Sequence, residues 1–365
     1  MRMIPLTSDD ILIDTQKVTT GYFTGGLGTI LGSNLTTASL SATQNKYYTN
    51  LQYSSEDHFS ITYGMIDGSG SSAAALNAGV GETEAVYKSY ASYLLRTNDI
   101  ADGFKINSST TADKDVYFIV AERAKMKDRL NPGNWTLGLS GSNGNTGSSA
   151  NTGKVGKWGA GVTLTLTDDS KTTAATSSPI GPRYNVYAGT AGTVSSTATT
   201  YGWFWPDAGC IALSGTSLSS SIQGSTGWAS GSGTFGLGIS TADGRQGGVG
   251  FHPNRSNDAK HYMKLASAIN FYTGNQQFRA EEDQTTVTYF CRALSRDFNH
   301  SSNPTFTSGS EGRYRQSSFE GNPQTFITTV GLYNGQRECV AVGRLSKAIL
   351  KNYSTEAIIK TKLTY

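Results

Sequence analysis

The chain has 365 residues, with 36% hydrophobic and 16% charged side chains, 43 glycines and a formal net charge of +3. This length can bury one large core or two to three smaller ones. The charge is spread without the basic face or stripe of a nucleic-acid binder, and no apolar run approaches the ~18 residues of a membrane span. Ser, Thr, Asn, Gly and Tyr take the place of the missing charge. Thr and Tyr suit strands and Gly suits turns, so β-structure with many turns is expected. The fold class expected is mainly β with a few helices (α+β), an antiparallel sheet body carrying an inserted β-rich domain.

The opening MRMIPLTSDDILI has no positive region feeding an apolar run and reads as lacking a signal peptide. DILIDT predicts a short strand, and GYFTGGLGTILG a flexible glycine-rich connection, an arm or edge element. The glycine run in 25–32 lacks the Lys-Ser or Lys-Thr ending of a P-loop. HFSITYG, residues 58–64, alternates as a strand with Phe59, Ile61 and Tyr63 on one side. The GSGSSA at 68–73 fits the dinucleotide pattern G-x-G-x-x-A, but no immediate amphipathic helix follows, so a flexible loop is expected.

From Gly81 the period changes. Val86, Tyr90 and Leu94 recur every four residues, Tyr87 and Leu95 widen the stripe, and Glu82 and Glu84 suit a helix N-terminus. DVYFIVA, 115–121, predicts a central strand. Arg123, Lys125, Lys127 and Arg129 alternate with Glu122 and Asp128 and read as a solvated face. DRLNPGNW, 128–135, reads as a turn leading into a strand over 135–139. Residues 141–156 are rich in Gly, Ser and Asn and mark a surface loop or hinge. Val162, Leu164 and Leu166 alternate with threonines as a half-buried strand. Strands at 184–187 and 210–213 flank an aromatic run at 201–205. A helix is expected over 260–272 and a strand over 285–293.

The expected organisation is a body in two parts, 1–140 with an arm and 281–365, around an inserted Gly/Ser/Thr-rich β domain at 141–280. Glu281, Glu282 and Asp283 read as a solvated turn at the junction. At the C-terminus, Asn334-Gly335 predicts a type I′ hairpin with arms over 326–333 and 338–345, and 357–363 supplies a closing strand.

No convergent catalytic, metal or cofactor set emerges. Cys210, Cys291 and Cys339 are odd in number and form no C-x-x-C pair, so each reads as a small buried hydrophobe in a reducing compartment. Among His58, His252, His261 and His300 no pair has the i, i+4 spacing of a helical zinc motif. His252 and His261 could meet near Asp258, but single surface histidines are the simpler reading. No serine sits in a G-x-S-x-G elbow. The acids at 281–283 are adjacent, whereas glycosidase chemistry needs two carboxylates held apart across a sugar. Tyr201, Trp203, Phe204, Trp205 and Trp228 could form core, a protein interface or a platform for sugar rings. Trp203, Trp205 and Tyr333 are the candidate interface residues.

Several segments then point to a family. The C-terminal TFITTVGLYN…ECVAVGRLSKAILKN…IIKTKL resembles the ending of baseplate wedge proteins of large contractile-tailed bacteriophages, including those of cyanobacteria. QYSSEDHFSITYGMIDGSGS, TEAVYKSYASYLL, VYFIVAERAKMKDRLNPGNWTL and RDFNHSSNPTFTSG are similar to the same group, and 141–280 departs from it. The resemblance implies a non-enzymatic virion subunit in the tail baseplate, made in the host cytoplasm. It would be paired as a homodimer and would contact other baseplate wedge and tail proteins. It brings no catalytic residues, cofactor, nucleic acid or membrane. A host-surface or glycan-binding tail module, and a polysaccharide-degrading enzyme, stay open as alternatives.

Overall fold

The computed structural model describes residues 3–38, 48–66, 82–108, 110–142, 160–221, 262–270, 272–308 and 311–365. The fold is mixed α+β and dominated by antiparallel sheet. Its principal elements are β1 (Ile11–Gly21), β2 (Tyr48–Tyr53), β3 (Glu56–Met65), α1 (Glu82–Leu94), β4 (Asp115–Ala121), β5 (Leu137–Ser142), β6 (Ala160–Asp168) and β7 (Gly181–Thr190). These are followed by β8 (Gly202–Trp205), β9 (Cys210–Ser214), α2 (Tyr262–Asn270), β10 (Arg279–Ala293), β11 (Thr325–Tyr333), β12 (Cys339–Lys351) and β13 (Ala357–Thr364). The chain divides into two compact units, one of residues 1–17 and 283–365, the other of residues 18–282.

In the 18–282 unit one sheet runs in the order β2-β3-β4-β9-β8-β7-β6-β5, extended by short strands at both β2 and β7. Period-2 alternation sorts its side chains into two cores. Tyr117, Ile119, Phe204, Ile211 and Leu213 face one cluster, which Leu265 and Ile269 of α2 complete. Val116, Phe118, Trp203, Trp205, Cys210 and Ala212 face the other, which Tyr87, Ala91 and Leu94 of α1 cover. The central strands are therefore apolar at both parities, which is why DVYFIVA lacks alternation. α2 packs on β2, β3 and β5, elements near both ends of the strand order, so the sheet curls around it. α1 seats on Gly64, where an added Cβ would lie 2.8 Å from the Tyr87 Cα. The Tyr87 hydroxyl locks the helix by donating to Asp113 O at 3.0 Å and accepting from Phe104 N–H at 2.8 Å.

Several expectations change. The described strands of 141–280 form no sheet of their own. β9 pairs with β4 from Cys210↔Val120 to Ser214↔Val116 and draws β6–β8 into the sheet of β2–β4. Gly/Ser/Thr composition shifts within that segment, but mutual burial of apolar strands on both faces decides pairing, so the division at 140/141 follows neither strand pairing nor compact units. GYFTGGLG is no loose connection, because Tyr22 and Phe23 lie in the aromatic core with Phe59 and Phe278. Glu281 and Glu282 lie in β10, not in a turn.

In the other unit, β13 pairs with β10 from Thr286↔Thr364 to Ala293↔Ala357. β11 and β12 form a separate two-stranded ribbon. The closing strand thus completes the β10 sheet and not the hairpin.

Candidate functional site: an exposed β-ribbon

β11 is TFITTVGLY, a strand of β-branched and aromatic residues with neither charge nor proline. It pairs with β12 in two registered stretches, Thr325↔Lys351 to Ile327↔Ile349 and Thr329↔Arg344 to Tyr333↔Cys339. Between them the register shifts, so residues 345–348 of β12 bulge out of the ladder. The connection is not a two-residue type I′ turn. Asn334 N–H donates to Glu338 O at 3.0 Å, Arg337 N–H donates to Asn334 O at 3.0 Å, and Arg337, not Gly335, takes the left-handed φ of +67°. The Asn334 Oδ1 accepts from Gln336 N–H at 3.0 Å and Glu338 N–H at 2.8 Å. That side chain stabilises a three-residue loop ending in a bulge, which competes with the two-residue turn Asn-Gly suggests.

Both faces of the ribbon are apolar. Ile327, Val330, Leu332, Ala341, Leu345 and Ile349 are half-buried. Phe326 (63%), Val340 (65%), Val342 (66%) and Leu350 (40%) are exposed, with Tyr333 at 36% beside the turn. A two-stranded ribbon is marginal alone in water. Beyond its own pairing this one packs chiefly against β13. It is an apolar surface without a second layer among the described residues.

The base of the ribbon is fixed by one ammonium group. Lys351 is fully buried, and its Nζ donates to Ser295 O (3.0 Å), Asn299 Oδ1 (2.8 Å) and Asn352 O (2.9 Å). Three donors meet three acceptors, so the ammonium is fully hydrogen-bonded. Burial pushes its pKa below the ordinary lysine value, against the pull of Asp297 and Glu356. Lys351→Met is expected to destabilise this unit by about 2–3 kcal/mol, because charged hydrogen bonds are lost and three acceptors stay buried. Chemical denaturation of the variant, with hydrogen exchange across 295–299, checks this.

The other candidates sit elsewhere. Trp203 and Trp205 are core residues, 9% and 0% exposed, so their expected interface role is corrected. Strand β8 turns both indoles toward α1, Arg183 stacks over Trp203 at 4.0 Å, and Trp205 Nε1 donates to Ser178 Oγ at 3.1 Å. Of the three candidates only Tyr333 lies on exposed surface. Phe326, Val340, Val342 and Leu350 were missed. Their signal was an uncharged strand apolar at both parities beside a partner that is also apolar at both parities.

The basic cluster is not simply solvated. Lys125 pairs with Glu56 and Lys127 with Glu282, while the Arg129 guanidinium grips the buried Glu281 (Nε–Oε1 2.8 Å, Nη2–Oε1 2.5 Å). Asn131 Nδ2 donates to the other Glu281 oxygen at 2.5 Å. Glu281 is therefore a structural acid. Cys210 is buried as expected, and burial pushes its thiol up to about 12. Cys291 is half-buried and Cys339 exposed on the ribbon, departing from the expectation. His300 packs edge-on against Phe306. The 68–73 glycine motif, Trp228, His252, Asp258 and His261 lie outside the described residues. Among the described residues no group of three His, Cys, Asp or Glu side chains could hold a metal ion, and no helix is long and apolar enough to cross a membrane.

His58 is fully buried rather than on the surface. Its Nδ1 lies 2.8 Å from Glu56 O, and its Nε2 accepts from Thr24 N–H at 3.1 Å. That geometry requires the neutral ring protonated at Nδ1. Burial, then the nearby Lys125, hold its pKa below the usual histidine range, against Glu56 and Asp57. The unfolded chain therefore binds more protons as pH falls below about 6.5. The stability from neutral His58 is complete above that pH and is lost as pH falls through the lower folded value. Denaturation midpoints between pH 7 and 5 should fall more steeply for the parent chain than for His58→Gln, and equal slopes would contradict the assignment.

Neither a family model, nor a curated protein, nor a solved structure matches the chain.

Proposed function

We propose that this chain is a non-enzymatic structural subunit of a contractile phage tail baseplate wedge, bridging neighbouring virion proteins through extended contacts. The observation that carries the assembly role is the β11–β12 ribbon, apolar on both faces and exposed at Phe326, Val340, Val342 and Leu350. Such a surface costs solubility unless a partner covers it. The baseplate position rests on the resemblance of the ribbon sequence and the β3, α1 and β4 segments to wedge proteins. On that reading the partners are other wedge and tail proteins, together with a second copy in a homodimer, and the site of action is the virion.

A glycan-binding tail module would present aromatic rings to sugar faces, but Trp203 and Trp205 are turned inward. A polysaccharide-degrading enzyme would need carboxylates free to meet substrate, and Glu281 is held by Arg129 and Asn131. Immunogold labelling of intact particles with antibodies against this chain tests the proposal. Gold at the tail end supports it. Particles that lack the chain, or label on the fibre tips together with glycan binding by the isolated protein, would refute it.

A further inference from the structure

The net positive charge is concentrated in one unit. Residues 1–17 and 283–365 contain twelve of the 30 Lys and Arg but nine of the 27 Asp and Glu, leaving the 18–282 unit balanced at eighteen of each. Within 325–365 there are six basic residues, Arg337, Arg344, Lys347, Lys351, Lys360 and Lys362, against Glu338 and Glu356. Arg344 and Lys347 are exposed on β12, beside exposed Val340 and Val342.

Strand edges are usually protected by charge, proline or cover, because an open row of N–H and C=O groups recruits other strands. β13 is an edge strand with exposed Lys360 and Lys362, and β12 has Arg344 and Lys347. β1, at the other edge of the β13 sheet, carries Asp14 and Lys17. β11 alone among these has no charge and no proline over nine residues, and among the described residues its one strand partner is β12. A second copy would bring an equally basic ribbon alongside, which disfavours self-pairing.

We propose that β11 is an acceptor edge for an extended acidic segment of a different protein, which adds as a third strand to the ribbon. Main-chain hydrogen bonds to β11 hold it, its apolar side chains lie beside Phe326 and the other side chains of β11, and its carboxylates lie in the field of the basic unit, with Arg344 and Lys347 one strand further on in β12, about 10 Å away. This rests on the reading of the ribbon as an assembly surface and names the chemistry of what covers it.

The probe is a nine-residue synthetic peptide alternating valine with glutamate and threonine, titrated against the full chain. Two controls accompany it, one with lysine for each glutamate and one N-methylated at every second residue. The acidic peptide should slow hydrogen exchange across 325–333, and both controls should bind at least about tenfold more weakly. The N-methyl control leaves the protein untouched, so no folding defect can imitate its result. Absence of binding by the acidic peptide, equal binding of the acidic and basic peptides, protection confined to other strands, or self-association that protects β11 without peptide would each overturn the proposal. None of these results changes where the gold label falls on particles, so the two readings fail separately.

Discussion

Val340→Glu combined with Val342→Glu is expected to abolish incorporation of the chain into particles while leaving it folded. Both side chains stand about two-thirds exposed on β12, so they contribute little to the free protein's stability. Their replacement costs the monomer about 1 kcal/mol, mainly through strand propensity. In a covered ribbon the same positions lose their water. Burial of a valine is worth ~1.5 kcal/mol or more, so two give ~3 kcal/mol, about a hundredfold in association. Glutamate adds the cost of burying a carboxylate, and beside an acidic partner it adds repulsion. Competitive incorporation of wild-type and variant chains, read by mass spectrometry of purified particles, measures the effect. Equal incorporation would remove the ribbon from the assembly account.

Trp205→Ala is expected to have the opposite profile, with large loss of stability whatever the partner. Trp205 is fully buried, edge-on to Trp203 at 6.1 Å, with its indole N–H satisfied by Ser178. Truncation removes a large apolar body and leaves a cavity between sheet and α1, a change costing about 3–5 kcal/mol. Tyr333→Ala, on exposed surface, should cost about 0.5 kcal/mol or less. Urea denaturation distinguishes them through the midpoint at unchanged slope. A Trp205 variant as stable as the parent would return that residue to the surface.

Much of the secondary structure could be read from residue pattern. The helix at Glu82–Leu94, the central strand at Asp115–Ala121 and the hairpin arms follow from apolar period, because burial on one or two faces imposes that period. Long-range pairing was not legible in the same way. Composition suggested a separate domain at 141–280, but Cys210–Ser214 pairs across a distant stretch of chain with Asp115–Ala121, a choice made by mutual burial. The same limit applied to charge. Glu281 looks solvated beside Glu282 and Asp283, and only the fold brings Arg129 to it. Trp203 and Trp205 look equally suited to core or interface, since an aromatic ring serves both and the sheet decides which way it points. Val340 and Val342 carry no mark of exposure in their own identity. The mark lies in the ribbon, which has two apolar faces and no second layer among the described residues.

Direct imaging of the intact tail, at a resolution that separates strands, decides whether the ribbon is an assembly surface of the baseplate. This chain is expected in the baseplate, with residues 325–351 covered by a neighbouring protein and a further strand alongside Thr325–Tyr333. A ribbon standing free in solvent within the assembled particle, or a particle without this chain, would contradict it.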